Sequence, residues 1–426
     1  MNSAAVLLIL MFGLIAIKVP ITFSLGVASL AFFWLENISF TTFAQKMATS
    51  VDSFTMTAVP FFILAGSLMN TGGITRRLFT FANNIFGAVR GGLCYVTIVS
   101  SMIFSAISGS SLANAAGLGT VQIKAMAEQR YDKNFSACLV SSAAVLGPII
   151  PPSVIMVVYG VTASVSIQRM FIGGVLPGIL LSAGLAFMCL LFRKKYDFPK
   201  GQRHSIKEIA KSCYSASWAL FAPVVILGGI FSGIFTATES GAIASVYCMA
   251  VGFFIYRDLT VRALLRAILD AAKSTATILF IAATASLLGF CLTYAKVPQT
   301  LAAYLAEILS SKYMLLLILT VVYLFLGCIM EAAAIVITTV PIFAPLCTAF
   351  GIDLVYFGVL VGILMSIGTI TPPVGITMFV ICKNTGLSVE TFSKSMLPWF
   401  LMMTVFVLIL VFVPGVISFL PTAIFG

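Results

Sequence analysis

Two stretches of this chain set chemistry-bearing oxygens inside apolar sequence. The first is Gly147-Pro148-Ile149-Ile150-Pro151-Pro152. The second, Gly368-Thr369-Ile370-Thr371-Pro372-Pro373, repeats it at a separation of 221 residues, Gly147 to Gly368. Proline has no N–H to donate and its ring clashes with the preceding helical turn, so each Pro-Pro pair should break a helix. A break in hydrocarbon frees carbonyls and amides that only protein, water or a bound ion can satisfy. Matching breaks in two halves of a membrane protein point to a transporter's binding site. The same separation also aligns Ile155 with Ile376, Phe171 with Phe392, and Leu176-Pro177 with Leu397-Pro398. Identities therefore span a segment of roughly 30 residues, the scale of an internal repeat.

A polar run precedes the first break: Ser108-Gly109-Ser110-Ser111-Leu112-Ala113-Asn114-Ala115-Ala116-Gly117-Leu118-Gly119. Hydroxyls and an amide supply neutral oxygen, and glycines let the backbone turn and present carbonyls. As the tip of a re-entrant helical hairpin opposite the first break, this run would assemble oxygens around a desolvated Na⁺. The other reading of Ser111, Ala115 and Gly119 is a small-residue packing face. The second half offers Gly327-Cys328-Ile329-Met330-Glu331-Ala332-Ala333-Ala334, and the repeat sets Glu331 opposite Ser110. A carboxylate flanked by long apolar runs is a candidate site residue. It could face a substrate vestibule, anchor a tip, take up a proton, or simply reach water. Glu239, just after Thr236, reads first as a helix cap. Asp52 reads as an interfacial cap.

The elements that must position these groups are membrane helices. Mean hydropathy is +1.14, with 61% hydrophobic and 9% charged residues, so the bilayer is the solvent. At ~20 residues per span the chain allows about ten to twelve spans, an all-α polytopic architecture. Met1 to Ile17 reads as a retained first span, because it lacks a basic leader and a clear cleavage site. The net charge of +11 is topological, since Lys and Arg hold loops in the cytoplasm. Scattered charge with no basic face argues against nucleic acid. The stretch 193–215 is the basic cytoplasmic linker. It separates a first repeat, 1–192, from a second, 216–426. Within them a hairpin is expected near 100–128 with a broken helix near 135–163, and a second hairpin near 320–349 with a broken helix near 354–383. A single span is expected over 397–420. Residues 76–90 and 298–312 read as interfacial amphipathic helices. Trp34, Trp218 and Trp399 are expected in the aromatic belt.

Enzymes are disfavoured. One histidine, His204, leaves no catalytic dyad or histidine metal site. The nine cysteines lack CxxC spacing and read as packed free thiols. No Walker loop or HExxH occurs, and the serines of the first tip have no general base beside them.

The chain resembles, over essentially its whole length, the large membrane subunit of tripartite ATP-independent periplasmic (TRAP) transporters. The carriers are Val59-Pro60-Phe61-Phe62-Ile63-Leu64-Ala65-Gly66, Ser108-Gly109-Ser110-Ser111, Ile149-Ile150-Pro151-Pro152-Ser153, Phe235-Thr236-Ala237-Thr238-Glu239-Ser240-Gly241-Ala242 and Ile367-Gly368-Thr369-Ile370-Thr371-Pro372-Pro373-Val374-Gly375. The resemblance implies inverted repeats of the ion-transporter superfamily, with a scaffold and an elevator-type transport domain carrying both hairpins. It implies Na⁺ as coupling ion, a carboxylate-bearing solute and residence in the bacterial inner membrane. It implies two partners: a soluble periplasmic binding protein and a small membrane subunit of about four helices, expected here as a separate chain. One departure stands out, because relatives carry an Asp followed by Ser or Thr where this chain has Glu331-Ala332-Ala333-Ala334.

One Na⁺ site is therefore expected from Ser108, Ser110, Ser111, Asn114, Gly147 and the Pro148 carbonyl. A second is expected from Gly327, Glu331, Gly368, Thr369 and Thr371. Pro151, Pro152, Ser153, Pro372 and Pro373 should hold the breaks open beside the substrate. The competing expectation is a standalone Na⁺- or H⁺-coupled dicarboxylate or citrate carrier.

Overall fold

The computed structural model describes residues 3–17, 19–196, 198–199, 205–309 and 311–426. They form an all-helical membrane protein. The first half runs α1 (Ser3–Ala16), α2 (Ile21–Leu35), α3 (Phe40–Val51), α4 (Ala58–Thr71), α5 (Ile74–Phe86), α6 (Gly92–Ser108), α7 (Ser111–Ala116), α8 (Leu118–Glu128), α9 (Lys133–Ala144), α10 (Val154–Thr162) and α11 (Ile167–Tyr196). The second runs α12 (Ile206–Phe231), α13 (Ala237–Ala250) continuing through a π-helical turn (Val251–Ile255), α14 (Val261–Tyr294), α15 (Val297–Ile308), α16 (Lys312–Ile329), α17 (Ala332–Ala349), α18 (Leu354–Gly368), α19 (Ile376–Thr385), α20 (Val389–Phe412) and α21 (Gly415–Phe425).

Local chemistry sets the starts of these helices, and it recurs. A helix opens with orphan N–H groups, which a preceding Asp, Ser, Thr or Glu oxygen can accept. Asp132 accepts from Phe135 N at 2.8 Å to start α9. Asp353, at the repeat separation, accepts from Tyr356 N at 2.7 Å to start α18. Ser110 caps α7 through Ala113 N at 3.3 Å, and Glu331 caps α17 through Ala334 N at 3.0 Å. Pro177 lies inside α11 and Pro398 inside α20. The peptide bonds Pro151-Pro152 and Pro372-Pro373 are both cis. Thr236 and Glu239 form a reciprocal capping box at α13.

Packing follows matched pairs. α9 lies against α20 and α11 against α18; α10 lies against α17 and α19 against α7. α6 packs on α9, as α16 packs on α18. The arms α4 and α14 pack on α13 and α2 respectively. The first tip and the helices that leave the two breaks are thus packed against one another, α7 on α19 and α10 on α17.

Several expectations change. Among the described residues seven helices are long and apolar enough to cross a membrane, or eight with the α4–α5 pair, which bends by 65°. α1, α2, α6, α18 and α21 are apolar but shorter than the ~20 residues that hydrocarbon needs, so counting apolar runs overestimates full crossings. The stretch 397–420 is two helices: α20 ends at Phe412, and Pro414 forces the residue before it out of the helical region. The linker is shorter than 193–215, because Arg193–Tyr196 finish α11 and Ser205 caps α12 in a capping box with Glu208; His204 lies outside the described residues. The helix that leads into the first tip, α6, begins at Gly92, and the one that leads into the second, α16, at Lys312. Trp399 belongs to no belt. It is buried against Phe135 and Phe192, with ring centroids 5.8 and 5.6 Å away. Trp34 and Trp218 are exposed. Asp52 closes α3 and caps nothing in α4, which opens without a side-chain cap. The cysteines are free, and all but Cys213 are buried.

Candidate ion and substrate site

The first break follows from backbone accounting. The Val145 carbonyl, at the end of α9, would ordinarily accept an N–H three or four residues on. Pro148 has none, and the Ile149 N–H goes to Leu146 O at 3.1 Å. The Ser366 hydroxyl, from the far half of the chain, fills the place by donating to Val145 O at 2.6 Å. At the second break the Thr369 hydroxyl donates to Ser366 O at 2.7 Å, and the Thr371 hydroxyl to Ile367 O at 2.8 Å. The chain beyond folds back: Thr377 N and Met378 N donate to Thr369 O, while Val374 N and Gly375 N donate to Cys328 O near the second tip. Carbonyls freed by the prolines are thus largely taken up within the protein, as hydrocarbon demands.

Each tip presses on its break through a glycine. A Cβ on Gly147 would stand 2.5 Å from the Ser110 carbonyl carbon, and one on Gly368 would stand 2.6 Å from that of Gly327. Both are backbone-on-backbone approaches that only glycine permits. Gly147, Gly327 and Gly368 therefore hold the site's shape.

The residues expected at the first site divide by what their polar atoms do. Ser108 is buried, and its Oγ finds no hydrogen-bond partner among the described residues. Ser110 is engaged as the α7 cap. Ser111 Oγ lies 3.4 Å from Thr369 Oγ1, so residues assigned to two separate sites meet. Asn114 faces into the hairpin instead. Its Nδ2 donates to Ser105 Oγ at 3.2 Å and Ser101 O at 3.5 Å, and its Oδ1 accepts from Ser101 Oγ at 3.5 Å. Gln122, which the sequence reading missed, extends that network. Its Nε2 reaches Thr97 O, Ser100 Oγ and Ser101 Oγ at 3.0–3.1 Å. The available signal was an amide in α8 together with hydroxyls spaced along α6. Ser366 was also missed, though a lone hydroxyl just before a Gly-x-x-x-Pro-Pro break was visible.

In the second half, Glu331 is exposed and its carboxylate caps α17. Thr369 is buried and Thr371 half-buried, while Pro372 and Pro373 are exposed. Pro148, Pro151, Pro152 and Ser153 are buried, and Ser153 Oγ accepts from Met156 N at 3.3 Å to start α10.

The hydroxyl hydrogens have a direction. Thr369 spends its hydrogen on Ser366 O, so toward Ser111 it can only accept. Ser366 spends its own on Val145 O. What these oxygens have left is lone pairs. Neutral hydroxyl and carbonyl oxygen suits a hard cation such as Na⁺, and the unpartnered, buried Ser108 Oγ fits the same donor set.

Residues 8–416 match the family model described as the DctM component of the tripartite ATP-independent periplasmic transporter. The sialic acid TRAP transporter permease protein SiaT of Haemophilus influenzae is 35% identical, over 99% of this chain and 69% of its own length. The C4-dicarboxylate TRAP transporter large permease protein DctM of Pseudomonas aeruginosa is 39% identical, over 89% of this chain and 88% of its own. Among solved structures, the YdaH transporter of Alcanivorax borkumensis matches at TM-score 0.66 and 13% identity, over 96% of this chain and 98% of that one. At that identity the likeness speaks to the fold.

Proposed function

Because the chain belongs to the DctM family of tripartite ATP-independent periplasmic transporters, we propose that it is the large membrane subunit of a Na⁺-coupled importer of a carboxylate-bearing solute. The solute is an organic acid or sugar acid of the sialic acid or C4-dicarboxylate kind handled by its relatives. A periplasmic binding protein delivers it, a small membrane subunit completes the complex, and the assembly sits in the bacterial inner membrane. The two halves act as inverted repeats, 1–192 and 216–426. They divide into a scaffold and a transport domain that carries both hairpins and moves as an elevator.

The observation that carries this reading is the meeting of Ser111 and Thr369 beside the two broken helices, with lone pairs as their remaining capacity. Ser108, Ser111 and carbonyls of the first break would hold one Na⁺, and Thr369, Thr371 and carbonyls of the second tip another. The bound cations supply positive charge near the breaks for the solute carboxylate, and the gradient supplies the driving force. The chain's own residues fix the geometry. Gly147 and Gly368 seat the tips, and Asn114 and Gln122 hold the first hairpin together.

The test is uptake into proteoliposomes holding this chain with its small subunit, supplied with loaded binding protein. An inward Na⁺ gradient should drive accumulation. Uptake that ignores Na⁺ and collapses with the pH gradient would transfer the role to Glu331. Full activity without the small subunit would make the chain a standalone carrier.

A further inference from the structure

We propose that Ser366 is a positioning residue that couples the two broken-helix sites, so that loading one cation site prepares the other. The proposal rests on the cation reading above. Three side chains and two carbonyls make up the link: Ser111 Oγ to Thr369 Oγ1 at 3.4 Å, Thr369 Oγ1 to the Ser366 carbonyl at 2.7 Å, and, from the same Ser366, its Oγ to Val145 O at 2.6 Å. Every member is buried, and the line touches the first tip, the second break and the first break in turn.

The direction of donation gives the line its meaning. With both downstream hydrogens spent, Ser111 must donate to Thr369 and offer its lone pairs outward. A cation on Ser111 polarises that O–H and strengthens its bond to Thr369. The two bonds that share Thr369 Oγ1 are in series and reinforce one another where water is scarce, and Ser366 itself, held at both its carbonyl and its hydroxyl, carries the link on to Val145. Thr369 in turn fixes the Ser366 carbonyl in the last turn of α18, and the Ser366 hydroxyl fixes the Val145 carbonyl at the end cap of α9. Ser366 is therefore joined to both breaks, and Val145 O, its partner, gets no N–H from Pro148 while the Ile149 N–H is taken by Leu146 O. A first ion that orders one break thereby lowers the ordering cost of the second. Without the Ser366 hydroxyl, Val145 O is left unpartnered in the interior and the breaks become independent.

The experiment is the Na⁺ dependence of uptake in the reconstituted complex, for the wild type, Ser366→Ala and Ser366→Thr. The wild type should respond with a Hill coefficient above one. Ser366→Ala should bring it to about one and raise half-saturating Na⁺ about fivefold or more, the usual scale of site–site coupling. Ser366→Thr, which keeps the hydroxyl, should restore steepness. A purely structural loss would lower the rate and leave the steepness alone. Should the alanine variant fail to reach the membrane intact, Ser366→Cys, similar in shape but a weak donor, carries the same test. A Na⁺-dependent wild type whose steepness survives in Ser366→Ala, or whose Hill coefficient is already one, overturns the coupling alone. A wild type indifferent to Na⁺ overturns the cation reading and the coupling together.

Discussion

The two breaks share a Pro-Pro pair, an Asp-capped leading helix and a glycine seated on a tip, yet their surroundings differ. Pro151, Pro152 and Ser153 are buried, whereas Pro372, Pro373 and Val374, at the same offset, are exposed. The tips follow suit: Ser108, Gly109 and Ser111 are buried, and Glu331 is exposed. Similar local chemistry has produced one sealed copy and one open copy. Part of the cause is in the tip residues. Ser108-Gly109-Ser110-Ser111 turns tightly at Gly109, whose φ is +59°, and packs small hydroxyls inward. Ile329-Met330-Glu331-Ala332 carries bulk and a charge, and a carboxylate stays with water unless paired.

The comparison can be broken most severely at the prolines. Pro372→Ala with Pro373→Ala lets α18 run on toward α19. Uptake should fall to background while membrane insertion, followed by fractionation, stays normal. Wild-type transport in this variant would refute the broken-helix argument. A smaller, more direct contrast lies in access. Pro373→Cys, in a background without Cys213, should react with a water-soluble maleimide at least about tenfold faster than Ser153→Cys, because only thiols that reach water ionise and react readily. Equal labelling rates would remove the distinction between sealed and open copies. The smallest effect is expected at Glu331. Gln keeps an oxygen to accept from Ala334 N, so Glu331→Gln should change Na⁺-driven uptake by no more than about twofold, a cap exchange being worth a few tenths of a kcal/mol to ~1. A collapse of uptake would show that the carboxylate does more than cap.

What could be read from the sequence was what acts over a few residues. Prolines remove donors wherever they stand, so both breaks were visible, and Thr236 with Glu239 announced its capping box in a short span of letters. The 221-residue separation set Glu331 opposite Ser110, and both turn out to be caps of the second arm of a hairpin. What escaped depends on which helix faces which. Trp399 looked like a residue at a span end until α20 packed it between α9 and α11. Asn114 looked like a ligand until α6 presented Ser101 and Ser105 to it. The bond from Ser366 to Val145 joins residues from opposite halves, and no periodicity in one strand of text could pair them. The run 397–420 misled for a related reason, since hydropathy does not register the lost N–H of Pro414.

The line from Ser111 through Thr369 and Ser366 to the Val145 carbonyl has a consequence for the environment in which the protein works. Hydroxyls and amide carbonyls neither gain nor lose protons between about pH 5 and 9, the window in which histidines and perturbed carboxylates change charge. Cation seats built from such groups keep their charge and their donor pattern across that window. If the proposed seats hold the coupling ion, a cell that meets acid and alkali in turn would find that grip unaltered, and any acidity dependence of uptake would originate in other groups.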